Sequence, residues 1–251
     1  MEKTEKIIKF LEKTFAEQGF DKGLVGVSGG IDSAVSLMLG VKALGKDNIF
    51  AVEMPYKNQK MNMAKLVIEQ VGINEENRVD INIGEMVDEI EGRLKASEDK
   101  IRLGNIMARV RMIISYDLAK KYRALVIGTA NKSEKLLGYY TRFGDEAADI
   151  EPMVHLYKTQ VYELGKYLGI DKQILRAEPT GGLWSGQTDV NELGFSYKEA
   201  DPILEELIDK KTDMNEIIKK FDENLVKKIQ QRLKEVEFKS KVPFSVRLKH
   251  E

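Results

Sequence analysis

The sequence predicts an α/β protein: a doubly wound, mostly parallel, Rossmann-like sheet with helices on both faces. Three observations carry this reading. Short runs rich in Val and Ile, at residues 24–27, 49–54, 79–83 and 125–127, alternate with longer segments of helical period, and unbroken apolar runs belong to strands buried on both faces. A glycine-containing turn stands where the first of these runs ends and a helical pattern begins. The chain of 251 residues is long enough for a sizeable core. No repeat, low-complexity linker or composition break divides it, so residues 1–251 are read as one domain with a C-terminal helical tail.

The first 18 residues place Ile7, Ile8, Leu11 and Phe15 at helical spacing among Lys and Glu, an amphipathic helix rather than a signal sequence. Residues 100–122 form a long helical pattern whose apolar face (Ile101, Ile106, Met107, Val110, Ile113, Ile114, Leu118) is broad enough to be covered on more than one side, which predicts a homodimer through this helix. From residue 131 to 194 the texture turns to Gly, Thr, Pro and aromatic residues, the kind of loop that carries function. Charged amphipathic helices resume after Tyr197 and run to about Val236.

Forty Lys and Arg against 41 Asp and Glu give no bulk attraction to a nucleic-acid backbone or an anionic membrane. With no cysteine, the chain has no disulfide, thiolate metal site, cysteine nucleophile or persulfide chemistry. No segment approaches the roughly 20 apolar residues of a membrane span, and a cytoplasmic protein acting on small molecules is the expectation. The ten methionines read as core filler.

The strongest single signal is Gly26-Val27-Ser28-Gly29-Gly30-Ile31-Asp32-Ser33. Adjacent glycines let the backbone turn tightly and bring its N–H groups to phosphate oxygens, at a helix start that favours negative charge. Ser28 and Ser33 add hydroxyl donors. Asp32 is out of place beside phosphate unless a cation lies between, and Mg²⁺ held by one or two carboxylates is the usual solution. The rival Gly40–Lys46 stretch has Walker-type spacing but follows a helix and puts Asp47 where a hydroxyl is needed, so it reads as a helix C-cap and turn.

Ser-Gly-Gly-Ile-Asp-Ser after a first strand resembles the phosphate loop of the ATP pyrophosphatases, which cleave ATP between its α and β phosphates. Three further stretches are similar to the ammonia-dependent NAD synthetases among them. Gly104-Asn105-Ile106-Met107-Ala108-Arg109-Val110-Arg111 looks like that family's signature on its interface helix. Arg109 and Arg111 point about 200° apart and so serve different partners: one an anionic substrate and the other a structural carboxylate, or both surface salt bridges. The resemblance gives Arg109 the deamido-NAD contact.

The second stretch, Gly128-Thr129-Ala130-Asn131-Lys132-Ser133-Glu134 followed by Gly138-Tyr139-Tyr140-Thr141-Arg142-Phe143-Gly144-Asp145, opens at the carboxyl end of the fourth strand, where ligands of open α/β sheets collect. By resemblance Thr129 contacts ATP, Glu134 joins Asp32 on Mg²⁺, and Arg142 and Asp149 contact deamido-NAD. Read alone, Glu134 is equally a charge at a helix start. Arg142 stands where the family has Lys, and Glu146 and Ala147 stand where it has Gly. Tyr140 and Phe143 are read as packing beneath the loop, with stacking on a pyridine ring as the alternative.

The third runs from Glu151-Pro152-Met153 through Lys158-Thr159-Gln160 to Pro179-Thr180-Gly181-Gly182-Leu183-Trp184-Ser185-Gly186-Gln187-Thr188-Asp189 and Glu192-Leu193-Gly194. Its likeness assigns Lys158 and Thr180 to ATP. Near the end, Lys239 matches a substrate phosphate contact, while Phe238 replaces a histidine. The resemblance implies an enzyme with no side-chain nucleophile. A nicotinate carboxylate would attack the α-phosphate of ATP, and ammonia would displace AMP from the resulting acyl-adenylate to give NAD. With no cysteine for glutamine hydrolysis, free ammonia, or ammonia passed from a separate protein, is the expected donor.

Overall fold

The computed structural model describes residues 2–96, 98–184, 186–241 and 243–244; Ser185 of the third stretch lies outside them. The sheet has four parallel strands, β1 (Lys22–Gly26), β2 (Ile49–Glu53), β3 (Arg78–Asp80) and β4 (Ala124–Val126), in the order β3-β2-β1-β4. Each lies within a few residues of its apolar run. β1 and β2 register Gly23 on Ile49 and Gly26 on Val52; on its other side β1 pairs Leu24 with Val126. The order reverses direction at β1, so the crevice above the ends of β1 and β4 is the topological switch point, where this architecture binds ligands.

Each sheet face has its own core. One is covered by α1 (Glu2–Gln18), α2 (Ile31–Leu44), α3 (Asn62–Val71) and α7 (Lys158–Leu168). In α1 the buried residues are Thr4, Ile7, Leu11 and Phe15, the spacing that the sequence shows. The other face is covered by α4 (Gly84–Leu94) and α5 (Lys100–Tyr122), whose Met107, Val110, Ile114 and Leu118 pack against Leu24, Phe50 and Val52. The broad stripe of α5 is thus divided: Ile101 and Ile113 stand 68% and 60% exposed. The Gly40–Lys46 stretch is the end of α2, with Gly45 at φ +83 as its C-cap, as its context predicts.

A third core joins α6 (Lys132–Leu137) to the C-terminal helices α9 (Asp189–Leu193), α10 (Tyr197–Leu204), α11 (Met214–Lys220) and α12 (Glu223–Ser240), with Phe195, Tyr197, Ile203, Ile217 and Ile229 at its centre. The short α8 (Lys172–Arg176) follows α7. The tail therefore packs directly on α6, the helix that carries Glu134.

Candidate active site

The glycine turn holds its shape by its own serines. Ser33 Oγ accepts from Ser28 N–H at 3.2 Å and donates to Gly30 O at 3.0 Å, and Ser28 Oγ accepts from Gly30 N–H at 3.2 Å. Gly29 has φ +87, and a Cβ there would stand 2.7 Å from the backbone nitrogen of Ala64 and from Met63 Cβ; both torsion and space demand glycine. The next helix, α2, begins with no side chain capping it, which leaves its first N–H groups without helical acceptors. Ser36 Oγ donates to Gly128 O at 2.7 Å and ties α2 to the β4 loop.

Beside this turn the structure assembles a charged centre from three elements. Lys158, at the start of α7 and 3% exposed, places Nζ 2.5 Å from Asp32 Oδ2 and 2.8 Å from Glu134 Oε1. The helices approach closely enough for this because Gly165 on α7 lies against α2, where a Cβ would sit 2.7 Å from Ile31 Cδ1. Asn131, fully buried, accepts from Glu134 N–H at 3.0 Å as the cap of α6 and donates Nδ2 to Asp32 Oδ1 at 2.9 Å. Asp201 locks the base of the centre, accepting from Ser133 Oγ at 2.6 Å and from Thr159 N–H at 2.8 Å.

Burial raises the Glu134 carboxyl to about 7, against the pull of Lys158, and Asp32 adds to the rise. Burial alone would lower the Lys158 ammonium, but Asp32 and Glu134 more than reverse it and hold Lys158 charged. Two carboxylates converging on one positive centre at the mouth of a phosphate-type turn are suited to a triphosphate with a cation between its charges.

Of the expected substrate residues, Arg109, Arg142 and Lys239 lie around the turn that follows α6, and Asp149 lies apart from them at the end of β4. Arg109 is exposed and its Nε donates to Arg142 O at 3.3 Å; the Arg142 guanidinium lies over the Phe238 ring at 5.0 Å. Lys239 Nζ donates to Gly138 O at 2.6 Å and Tyr140 O at 2.8 Å, holding the turn after α6. Asp149 Oδ2 accepts from Val126 N–H at 2.8 Å and closes the end of β4. Thr129 follows β4, half-buried, and Thr180 is exposed, its Oγ1 accepting from Gly182 N–H at 3.0 Å. No contact joins Thr180 to the Lys158 centre among the described residues.

Two expectations need correction. Arg111 forms no ion pair among the described residues, although the Asp145 carboxylate is near enough to act on it: its guanidinium donates to Met54 O at 3.0 Å and to Gln59 Oε1 at 3.2 Å, pinning α5 to the loop after β2. Phe143 does not pack under its loop, standing 57% exposed at φ +57. Residues that the sequence reading missed are Asn131, Asp201, Asp189 and Tyr197. Asn131 had a signal, an Asn three positions before Glu at a helix start; the others are paired only across the fold.

Fold and site together define an open parallel α/β protein with a phosphate-type turn and a cationic centre at its switch point. The chain belongs to the NAD synthase family, whose model matches residues 3–243. It is similar to the NH(3)-dependent NAD(+) synthetase of Fusobacterium nucleatum subsp. nucleatum, at 40% identity over 97% of this chain and 94% of that one. Among solved structures it resembles an NMN synthetase from Francisella tularensis (TM-score 0.84, 33% identity, 98% of each chain). It also resembles an NH3-dependent NAD synthetase from Campylobacter jejuni (TM-score 0.81, 30% identity, 98% of each chain).

Proposed function

We propose that this chain performs the ATP-dependent amidation of deamido-NAD by ammonia, giving NAD, AMP and pyrophosphate. The observation that carries the reading is the Lys158 ammonium shared at 2.5 and 2.8 Å between Asp32 and Glu134 beside the uncapped start of α2. A free carboxylate does not yield to ammonia because its leaving group is poor. An oxygen of the nicotinate carboxylate attacks the α-phosphorus, the bond to pyrophosphate breaks, and the mixed anhydride forms. Ammonia then attacks the acyl carbon, AMP leaves with the bonding electrons, and the nitrogen gives up a proton.

The residues supply positioning and charge rather than a nucleophile. The N–H groups and serine hydroxyls of residues 26–33 cradle phosphate oxygens, and Lys158 moves its charge onto the departing pyrophosphate. Thr129 and Thr180 complete the ATP contacts. Arg109, Arg142, Asp149 and Lys239 orient deamido-NAD, the first and last partly through the backbone carbonyls they already hold. Asp32 and Glu134 fit Mg²⁺: both present oxygens to the one point that the Lys158 ammonium fills, and an octahedral ion needs from protein only one or two carboxylates when phosphates supply the rest. When bound, the ion neutralises charge developing on the phosphates.

The exposed Ile101 and Ile113 of α5 support a homodimer through that helix. The likeness to an NMN synthetase favours a second reading in which the mononucleotide is the acceptor. No helix among the described residues is long and apolar enough to cross a membrane, and we place the single-domain protein in the cytoplasm. Incubation with ATP, Mg²⁺ and ammonium, with deamido-NAD or its mononucleotide counterpart, followed by product analysis, tests both readings. AMP with NAD supports the first and AMP with the amidated mononucleotide the second; ADP, or no amide from either acceptor, refutes both.

A further inference from the structure

The stretch that carries Thr180 is shaped by one glutamine and fastened by another. Gln187 is buried and closes the stretch from within. Its Oε1 accepts from Leu183 N–H at 2.8 Å, its own N–H donates to Trp184 O at 3.3 Å, and its Nε2 donates to Glu192 Oε1 at 3.1 Å. Pro179 O accepts from Asp189 N–H at 3.0 Å, which anchors the near end at the start of α9. Residues 179–184 leave α9 already shaped, and what they meet at the far end decides where Thr180 stands.

Two contacts hold that far end. Gln59, in the loop after β2, donates Nε2 to Gly182 O at 3.1 Å, while its Oε1 accepts from Tyr56 N–H and from Arg111 of α5, each at 3.2 Å. One amide thus ties the stretch to the loop after β2 and to α5, with its donor and acceptor ends committed to different partners. Beside it, Leu183 packs on the core beneath α5. A Cβ on Gly104 would stand 2.7 Å from Leu183 Cδ1 and 3.5 Å from the Trp184 ring, so the bare backbone at 104 makes room for both. The near end adjoins the Lys158 centre through Asp189 and Tyr197, whereas the far end lies on the α5 face of the sheet. Residues 179–184 therefore cross the switch-point crevice. Thr180 Oγ1 accepts from Gly182 N–H at 3.0 Å, so a shift of Gly182 carries Thr180 with it.

We propose that Gln59 is a positioning residue for ATP: by holding Gly182 it fixes the reach of Thr180 into the crevice. This rests on the assignment of Thr180 to ATP above. Gln59 acts through Gly182 rather than on the nucleotide, and its second task, supporting Arg111, is separable because it uses the other end of the amide.

Gln59→Glu separates the two tasks. The carboxylate still accepts from Arg111 and from Tyr56 N–H, but it has no donor and turns an oxygen toward Gly182 O. Trp184 is the single tryptophan of the chain, so acrylamide quenching of its fluorescence reports the fastening directly. Q59E should melt no lower than wild type, because its bond to Arg111 becomes charge-assisted. It should expose Trp184 to acrylamide and raise KM for ATP roughly three- to tenfold, the worth of one hydrogen bond, while KM for deamido-NAD stays within about twofold. Leu183→Ala, which cuts the apolar contact from the other side, should move ATP and Trp184 in the same sense, and it decides if Q59E does not fold. Wild-type values for both in Q59E would leave Gln59 as an acceptor for Arg111 alone and overturn the proposal. So would an equal rise in both KM values, or a rise for ATP with Trp184 unmoved, which would put Gln59 on the nucleotide itself. Absence of ATP binding to the wild type by calorimetry would refute the amidation reading instead. The fastening is then judged by Trp184: quenching that rises in Q59E and L183A supports it, and no rise overturns it.

Discussion

Replacing Lys158 by Met removes a charge from the centre while nearly conserving side-chain volume, and the structure sets the size of the effect. Nζ lies 2.5 Å from Asp32 and 2.8 Å from Glu134, with the Lys158 side chain 4% exposed. At an effective dielectric of about 20 each attraction is gross ~6 kcal/mol, offset by desolvation. Breaking a buried pair by removing one partner costs about 3–5 kcal/mol. Glu134 limits that cost. Its carboxyl stands at about 7 in the folded protein against an ordinary 4.5, and without the lysine, which lowers it, burial and Asp32 push it higher. A carboxyl whose folded pKa is raised contributes stability when protonated and loses it as pH rises toward that pKa. The penalty of K158M should therefore be smallest near pH 6 and should grow above pH 7 by up to about 1.4 kcal/mol per unit, until the variant's own pKa is passed. Urea unfolding of both proteins at pH 6, 7.5 and 9 (on the order of these values) measures it. A penalty that is flat with pH, or below about 1 kcal/mol, would mean that the two acids do not depend on Lys158 and that the centre is misdescribed.

Asp32→Asn should abolish Mg²⁺-dependent turnover and lower the melting temperature without unfolding the chain, because Asn131 Nδ2 and Lys158 Nζ now share one oxygen where Asp32 gave each its own, while Lys158 keeps Glu134; near-normal activity would contradict the metal role. Gly29→Ala forces a left-handed φ of +87 on alanine and drives its Cβ to 2.7 Å from the Ala64 nitrogen, which should cost about 1–3 kcal/mol and weaken ATP binding by calorimetry. Unchanged stability and affinity in that variant would show that the turn is looser than drawn. Ile113→Glu puts a charge on the exposed stripe of α5 and should convert a dimer to a monomer by light scattering; a wild type already monomeric at micromolar concentration would end the dimer reading.

What the sequence reveals divides by the range of the interaction. The four strands, the amphipathic start and the 100–122 helix follow from local periodicity, and the structure places them within a few residues of expectation. Strand edges drift because pairing, not composition, sets them: the run at 79–83 is strand only to Asp80, the residue that registers with Glu53 at the end of β2. The glycine turn was legible because torsion and close approach exclude most side chains at Gly29. Lys158 became a candidate through its flanking motif, since nothing local marks a helix-start lysine as buried.

Asp201 and Asp189 were not legible, for a physical reason. Each lies at a helix start or interior among other acids, where sequence offers a solvated charge as the default. Their burial comes from the C-terminal helices folding back on α6: Asp201 meets Ser133 across 68 positions, and Tyr197 brings its hydroxyl to Asp189 and its ring to Lys158. The same packing makes the tail part of the site rather than an appendage, because α12 reaches the turn after α6 through Lys239 and the helix end through Arg232, which donates to Leu137 O at 2.8 Å. A substitution in the α10–α12 core should therefore disturb Glu134, which α6 carries, before it disturbs the glycine turn, whose hydrogen bonds close within residues 28–33.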